Sequence, residues 1–200
     1  MKNMKNSSEK NSRYEIRIAG SGGQGIILAA IMLAEAALLD GRHVAQSQSY
    51  GPETRGGSSV SEIILSDTEI DYPRALKLDL LVALTQDACD RNLPDMKEDG
   101  VVVVDSDLVH GVLWGRVVSL PLRQITQRAA EERAINVAAL GAITPVCPLI
   151  SSDSLAKAVA KRLPSAKVAA NLSVFDEVLK VARDLNTTFT FIEAEEEFEI

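Results

Sequence analysis

Two glycine loops carry the residues whose types and spacing suit chemistry. The first, Gly20-Ser21-Gly22-Gly23-Gln24-Gly25, fits G-x-G-x-x-G between an apolar strand pattern and an apolar helix pattern. Glycine admits positive φ and close backbone approach, and free N–H groups at a helix start favour a phosphate. A dinucleotide site also needs an acid at the end of the second strand to hold the ribose. Here that strand ends Ala45-Gln46-Ser47, and Glu53 comes only later, inside a turn. A nicotinamide site is therefore disfavoured. Three readings stay open: a tight turn with no ligand, another phosphate ligand, or a partner segment. The second loop reads Ser47-Gln48-Ser49-Tyr50-Gly51-Pro52-Glu53-Thr54-Arg55-Gly56-Gly57. Tyr50-Gly51-Pro52-Glu53 predicts a turn, which displays Arg55 beside Gly56 and Gly57. A guanidinium there forks onto a carboxylate or phosphate. It either pairs internally with Glu53 or Glu62, or binds an anion or a partner chain.

Other chemistries find few donors. Cys89 and Cys147 are the only cysteines, far apart and without Cys-x-x-Cys spacing, and His43 and His110 are isolated. Iron–sulfur clusters and structural zinc generally use four ligands, so this chain alone holds neither, and buried free thiols are expected. The net charge of −7 weighs against nucleic-acid binding, which needs a basic patch. Residues 1–13 are polar, with no apolar core of a secretory signal, and no apolar run is long enough to span a bilayer. The expectation is a cytoplasmic protein without membrane contact.

The elements that position the loops follow from periodicity. Residues 14–19 predict a strand, 25–39 an apolar helix closed by Asp40-Gly41, 43–47 a short second strand and 58–65 a third. Residues 78–84, 100–104 and 115–120 predict further strands; 86–93, 124–133 and 151–163 predict helices, the last capped from Ser151–Asp153. Residues 168–185 carry two apolar stripes, Val168-Leu172-Phe175-Leu179-Ala182 and Val174-Val178-Val181-Leu185. Two stripes place that helix between the core and something more, either its own fold or another subunit. With 46% hydrophobic and 4% aromatic residues, the core must be aliphatic. Alternating strands and helices imply an α/β protein: one Rossmann-like domain over 14–186, its mostly parallel sheet flanked by helices. A tail over 1–13 precedes it and an acidic tail over 187–200 follows, either solvated or docked on a basic subunit.

The two loops in register, with Ile64-Leu65-Ser66-Asp67-Thr68-Glu69-Ile70-Asp71-Tyr72-Pro73 and Asn136-Val137-Ala138-Ala139-Leu140-Gly141, resemble the gamma subunit of 2-oxoacid:ferredoxin oxidoreductases. The similarity covers about residues 14–182, and the second loop resembles the 2-oxoglutarate type. The resemblance implies a complex that decarboxylates a 2-oxoacid on thiamine diphosphate, passes electrons through [4Fe–4S] clusters to ferredoxin and hands the acyl group to coenzyme A. It implies alpha, beta and ferredoxin-like delta partners that hold thiamine diphosphate, magnesium and the clusters. This chain would then hold no cofactor alone and supply no catalytic residue, with coenzyme A or a neighbouring subunit contacted by Tyr50, Gly51, Glu53, Arg55 and Gly56. Gly20, Gly22, Gly23, Gln24 and Gly25 would form the adjacent wall. A free-standing nucleotide-binding module and a ligand-free scaffold are the competing readings.

Overall fold

The computed structural model describes residues 13–50, 57–129 and 131–186. The strands are β1 (Tyr14–Ser21), β2 (His43–Tyr50), β3 (Ser58–Ser66), β4 (Leu78–Ala83), β5 (Met96–Asp105) and β6 (Val117–Leu120). The helices are α1 (Ile26–Leu39), α2 (Gln86–Asn92), α3 (Leu122–Arg128), α4 (Ile135–Ile143), α5 (Ser152–Arg162) and α6 (Ser165–Asn186). Short 3-10 turns, Leu93–Asp95 and Glu132–Ala134, follow α2 and precede α4.

The six strands form one sheet in the order β2-β3-β1-β4-β5-β6. β1, β4, β5 and β6 are parallel neighbours, whereas β3 runs antiparallel to both β1 and β2. The α/β class and the mostly parallel, helix-flanked sheet agree with the sequence reading. The reversed strand is new: the chain leaves α1, forms β2 at the edge and folds back as β3 into the place beside β1. Hairpin pairing also lengthens β2. Ser47–Tyr50, polar and without an apolar signal, pair with Ser59–Glu62, so the strand runs on past the expected Ser47.

Alternation along the strands gives two aliphatic clusters. Ile16, Ile18, Leu80, Val82, Val101 and Val103 face one way, under α1, α3, α4, α5 and α6. Ala19, Leu81, Ala83, Val102 and Val104 face the other, under α2 and the crossover at residues 106–116. That crossover forms no helix; Val109, Val112 and Trp114 pack on the sheet, and Trp114 Nε1 donates to Gly100 O at 2.9 Å. The helix expected over 124–133 starts earlier and ends at Arg128, and the chain tightens into the Glu132–Ala134 turn before α4. Ser151 caps α5 as expected, accepting from Ser154 N at 3.1 Å.

Both stripes of α6 are largely covered by its own fold: Val174, Phe175, Val178, Leu179 and Ala182 are buried, and Leu185 is exposed. Gly141 of α4 lets the two helices approach, because a Cβ there would stand 2.7 Å from Phe175 O. Arg13, at the boundary of the expected tail, belongs to the fold. Its guanidinium donates to Tyr72 O (3.0 Å) and Arg74 O (2.7 Å) and pairs with Glu15.

Candidate functional site

β1 and β2 point the same way, so the loops that leave them emerge at one edge of the sheet. The register sets Gly20 opposite Ser59 and Ser59 opposite Tyr50. Gly22 N donates to Gly57 O at 2.9 Å, which ties the first loop to the closing end of the second. The structure therefore brings Gly20, Gly22, Gly23, Gln24 and Gly25 together with Tyr50 and Gly57. Gly51, Glu53, Arg55 and Gly56 lie outside the described residues. Of the internal acids proposed for Arg55, Glu62 already receives the Arg17 guanidinium at 2.6 Å and the Ser47 hydroxyl at 3.3 Å.

The first loop is built by its own side chain. Gln24 Oε1 accepts from Ser21 N at 2.7 Å, and its Nε2 donates to Leu84 O at 3.3 Å. That latch needs a bare Gly20, where a Cβ would stand 2.3 Å from Gln24 Oε1. Gly25 caps α1 in the left-handed region, φ 73°, and a Cβ there would meet Asn136 Nδ2 at 2.9 Å. Gly23, by contrast, has open space where a Cβ would point. Gln24 is thus committed to holding the turn, and the surface the loop offers is the backbone around Gly23.

Beside Gly23 opens a cleft of about 240 Å³ lined by Gln24, Arg123, Thr126, Gln127, Glu132 and Arg133. Arg123 and Arg133 are exposed, and among the described residues neither guanidinium has a hydrogen-bonded or ion-paired partner. The cleft can take an anion, with Glu132 as the opposing charge. Two acids position α3 there. Asp105 Oδ1 accepts from Asp107 N (3.2 Å) and Arg123 N (3.4 Å), and the Asp107 carboxylate accepts from Gln124 N and Nε2. Arg123 and Arg133 had no motif to announce them. They stand on α3 and the following turn, which an irregular crossover brings to the edge.

Asp105 is wholly buried, and its Oδ2 has no hydrogen-bond partner among the described residues. Burial, opposed by the two backbone donors, pushes its carboxyl above the ordinary value. A carboxyl raised on folding stabilises the fold below its unfolded pKa and loses that contribution as pH rises through the folded pKa. Asp105→Asn should therefore gain on the wild type as pH rises from about 4 to about 8. Urea midpoints of both proteins across that range check this; a constant difference would contradict it.

Among the described residues, the donors present do not fit a metal cluster or a magnesium-held thiamine diphosphate. Among the described residues no three of His, Cys, Asp and Glu converge as metal ligands. Cys89 and Cys147 are free, buried in clusters on opposite faces of the sheet, and burial pushes both thiols up to about 11.

Residues 15–181, both glycine loops included, match the model of the pyruvate ferredoxin/flavodoxin oxidoreductase family. The chain belongs to that family. The 2-oxoglutarate synthase subunit KorC of Methanocaldococcus jannaschii is 43% identical, over 86% of this chain and 96% of its own. The KorC subunit of Methanothermobacter thermautotrophicus is 40% identical, over 82% and 92%. Among solved structures, the keto/oxoacid ferredoxin oxidoreductase gamma subunit from Geobacter sulfurreducens aligns with TM-score 0.75 and 40% identity, covering 86% of this chain and 99% of that one. Family membership, the fold and homology to gamma-type subunits thus agree with the resemblance read from the loops.

Proposed function

We propose that this chain is the gamma subunit of a cytoplasmic 2-oxoacid:ferredoxin oxidoreductase whose 2-oxoacid is 2-oxoglutarate. The complex carries out coenzyme A-dependent oxidative decarboxylation to an acyl-CoA and passes electrons to ferredoxin. The observation that carries the reading is near end-to-end likeness, 43% identity over 96% of a subunit named for 2-oxoglutarate synthase. The loop Tyr50-Gly51-Pro52-Glu53-Thr54-Arg55-Gly56-Gly57 supports the 2-oxoglutarate subtype. Thiamine diphosphate, magnesium and [4Fe–4S] clusters sit on alpha, beta and ferredoxin-like delta partners. This chain's own part is to bind and position.

In that role, Arg55 and the 51–57 backbone contact coenzyme A phosphates or a neighbouring subunit, and Gly20–Gly25 form the wall beside them. The hydrogen bond from Gly22 to Gly57 supports one continuous surface. Loops at the carboxyl ends of strands are where open α/β sheets receive ligands. In the assembled enzyme, Arg55→Ala should raise the apparent KM for coenzyme A about tenfold through loss of a charge-assisted contact. A change in assembly yield alone would make the loop an interface element. The parent reading is tested by recovering the chain from its native cytoplasm and assaying dye reduction dependent on 2-oxoacid, coenzyme A and thiamine diphosphate. Co-purifying thiamine- and cluster-bearing chains, with 2-oxoglutarate preferred over pyruvate, support it. A lone chain that binds a nucleotide replaces it with a free-standing module.

A further inference from the structure

A cavity of about 730 Å³ adjoins the arginine cleft and shares Gln127, Glu132 and Arg133 with it. It lies between the first turn of α1, the start of α4 and the first turns of α6. Leu28, Leu163 and Pro164 give it apolar walls, and Asn136 and Asn171 line it from α4 and α6. A concave space of this size, apolar with a few placed polar groups, suits a small molecule. Both asparagines are only 6% exposed, and each has one half of its carboxamide engaged. Asn136 Oδ1 accepts from Val137 N at 3.0 Å, and Asn171 Nδ2 donates to Lys167 O at 2.9 Å. Those bonds fix which way each amide points. They leave Asn136 Nδ2 as a donor and Asn171 Oδ1 as an acceptor, neither with a hydrogen-bond partner among the described residues. Buried polar groups are ordinarily paired, so the cavity is set for a neutral group that presents an acceptor and a donor. The edge of a nucleobase has that pattern, and the apolar walls suit its flat faces.

The charges are ordered along the same path. At the rim Glu131 is taken by Lys167 Nζ at 2.8 Å, whereas Glu132 has no ion-pair partner among the described residues. Glu132 lines both spaces and so stands at their junction. A carboxylate there can accept from the hydroxyls of a ribose, the task that an acid at the end of the second strand performs in dinucleotide folds. Past it the cleft offers Arg123, Arg133 and the open backbone at Gly23. Helix α1 begins beside that loop, at Ile26, with no side-chain cap on its first amides, and such a helix start favours phosphate.

We propose that cavity and cleft form one site for a nucleoside diphosphate, with the base between Asn136 and Asn171, the ribose on Glu132 and the phosphates on Arg123 and Arg133. A free nucleotide and the nucleotide end of coenzyme A share that chemistry. If the ligand is coenzyme A, the site rests on the subunit reading above and deepens it; if it is a free nucleotide, the site stands apart from that reading.

Titration calorimetry of the full-length chain with ADP, inorganic pyrophosphate and coenzyme A tests the proposal. ADP should bind at a single site, and more tightly than pyrophosphate by at least about tenfold. Arg133→Ala, at an exposed position, should weaken both ligands about tenfold through loss of a charge-assisted contact. Asn171→Ala should weaken ADP and leave pyrophosphate unchanged, a split that a merely misfolded variant would not give. Coenzyme A that displaces ADP assigns the site to the nucleotide end of that coenzyme, and ADP bound undisturbed by coenzyme A assigns it to a free nucleotide. Absence of ADP binding at millimolar concentration, ADP no tighter than pyrophosphate, or binding that survives both substitutions overturns the proposal. Binding by the isolated chain reads the site alone. Whether the chain travels with thiamine- and cluster-bearing partners decides the subunit reading separately.

Discussion

Gly141→Ala should lower the melting temperature, and Gly141→Leu should leave no soluble folded chain. Alanine is the better helix former by about 1 kcal/mol, so a surface reading of α4 predicts a gain. The packing predicts the reverse. A Cβ at Gly141 would stand 2.7 Å from Phe175 O and 3.1 Å from Val178 Cβ. The first of these is backbone in the middle of α6, so no rotamer change relieves it and the helix itself must move. Overpacking of this kind costs about 1–3 kcal/mol for one methyl. The net is a loss of up to roughly 2 kcal/mol, or up to about 8 °C for a domain of this size. Leucine adds three more carbons to the same contact. Circular dichroism melts of both variants decide the point, and an alanine variant as stable as the wild type would show that α4 and α6 have slack the structure does not show.

That contact also marks the limit of what the chain discloses before it is folded. Gly141 reads as a mild weakness in an apolar helix, and only the arrival of α6 makes it a requirement. The turn at the first glycine loop was legible because its geometry is local, the glycines and the helix start lying within six residues, whereas the latch made by Gln24 was not. The two stripes of α6 were legible as excess apolar surface, but the partner that buries them, α4 across Gly141, is set by tertiary packing. The insertion of β3 between β2 and β1 left no mark in periodicity, because period-two alternation tells which face a residue takes and not which strand lies beside it. Arg123 and Arg133 were missed for the same reason. Their nearness to Gly23 depends on an eleven-residue crossover, residues 106–116, with neither helix nor strand pattern.

Arg17→Met should cost about 3 kcal/mol, the second large effect, through the acids it abandons. Arg17 lies in β1, buried, and its guanidinium spans three elements: Glu62 of β3 at 2.6 Å, Asn92 Oδ1 of α2 at 3.0 Å, and Asp95 in the following 3-10 turn. Removing one partner of a buried pair generally costs about 3–5 kcal/mol because a charge stays behind unpaired. The low end applies here. The Asp95 side chain is 49% exposed and can return to water. The Glu62 side chain is 19% exposed and keeps the Ser47 hydroxyl and the Ala75 N–H as donors. Most of the loss should therefore reside in Glu62, and Glu62→Gln in the Arg17→Met background should recover the larger part of it. Chemical denaturation of the four proteins of that cycle measures the coupling. If the second substitution restores nothing, the cost lies in the packing of the arginine stem and not in the stranded carboxylate. The outcome bears on the site as well, because the same two strands end in the paired loops. A β1 that no longer grips Glu62 should also loosen the hydrogen bond from Gly22 to Gly57, and amide exchange at Gly22 should quicken in Arg17→Met and slow again in the double variant.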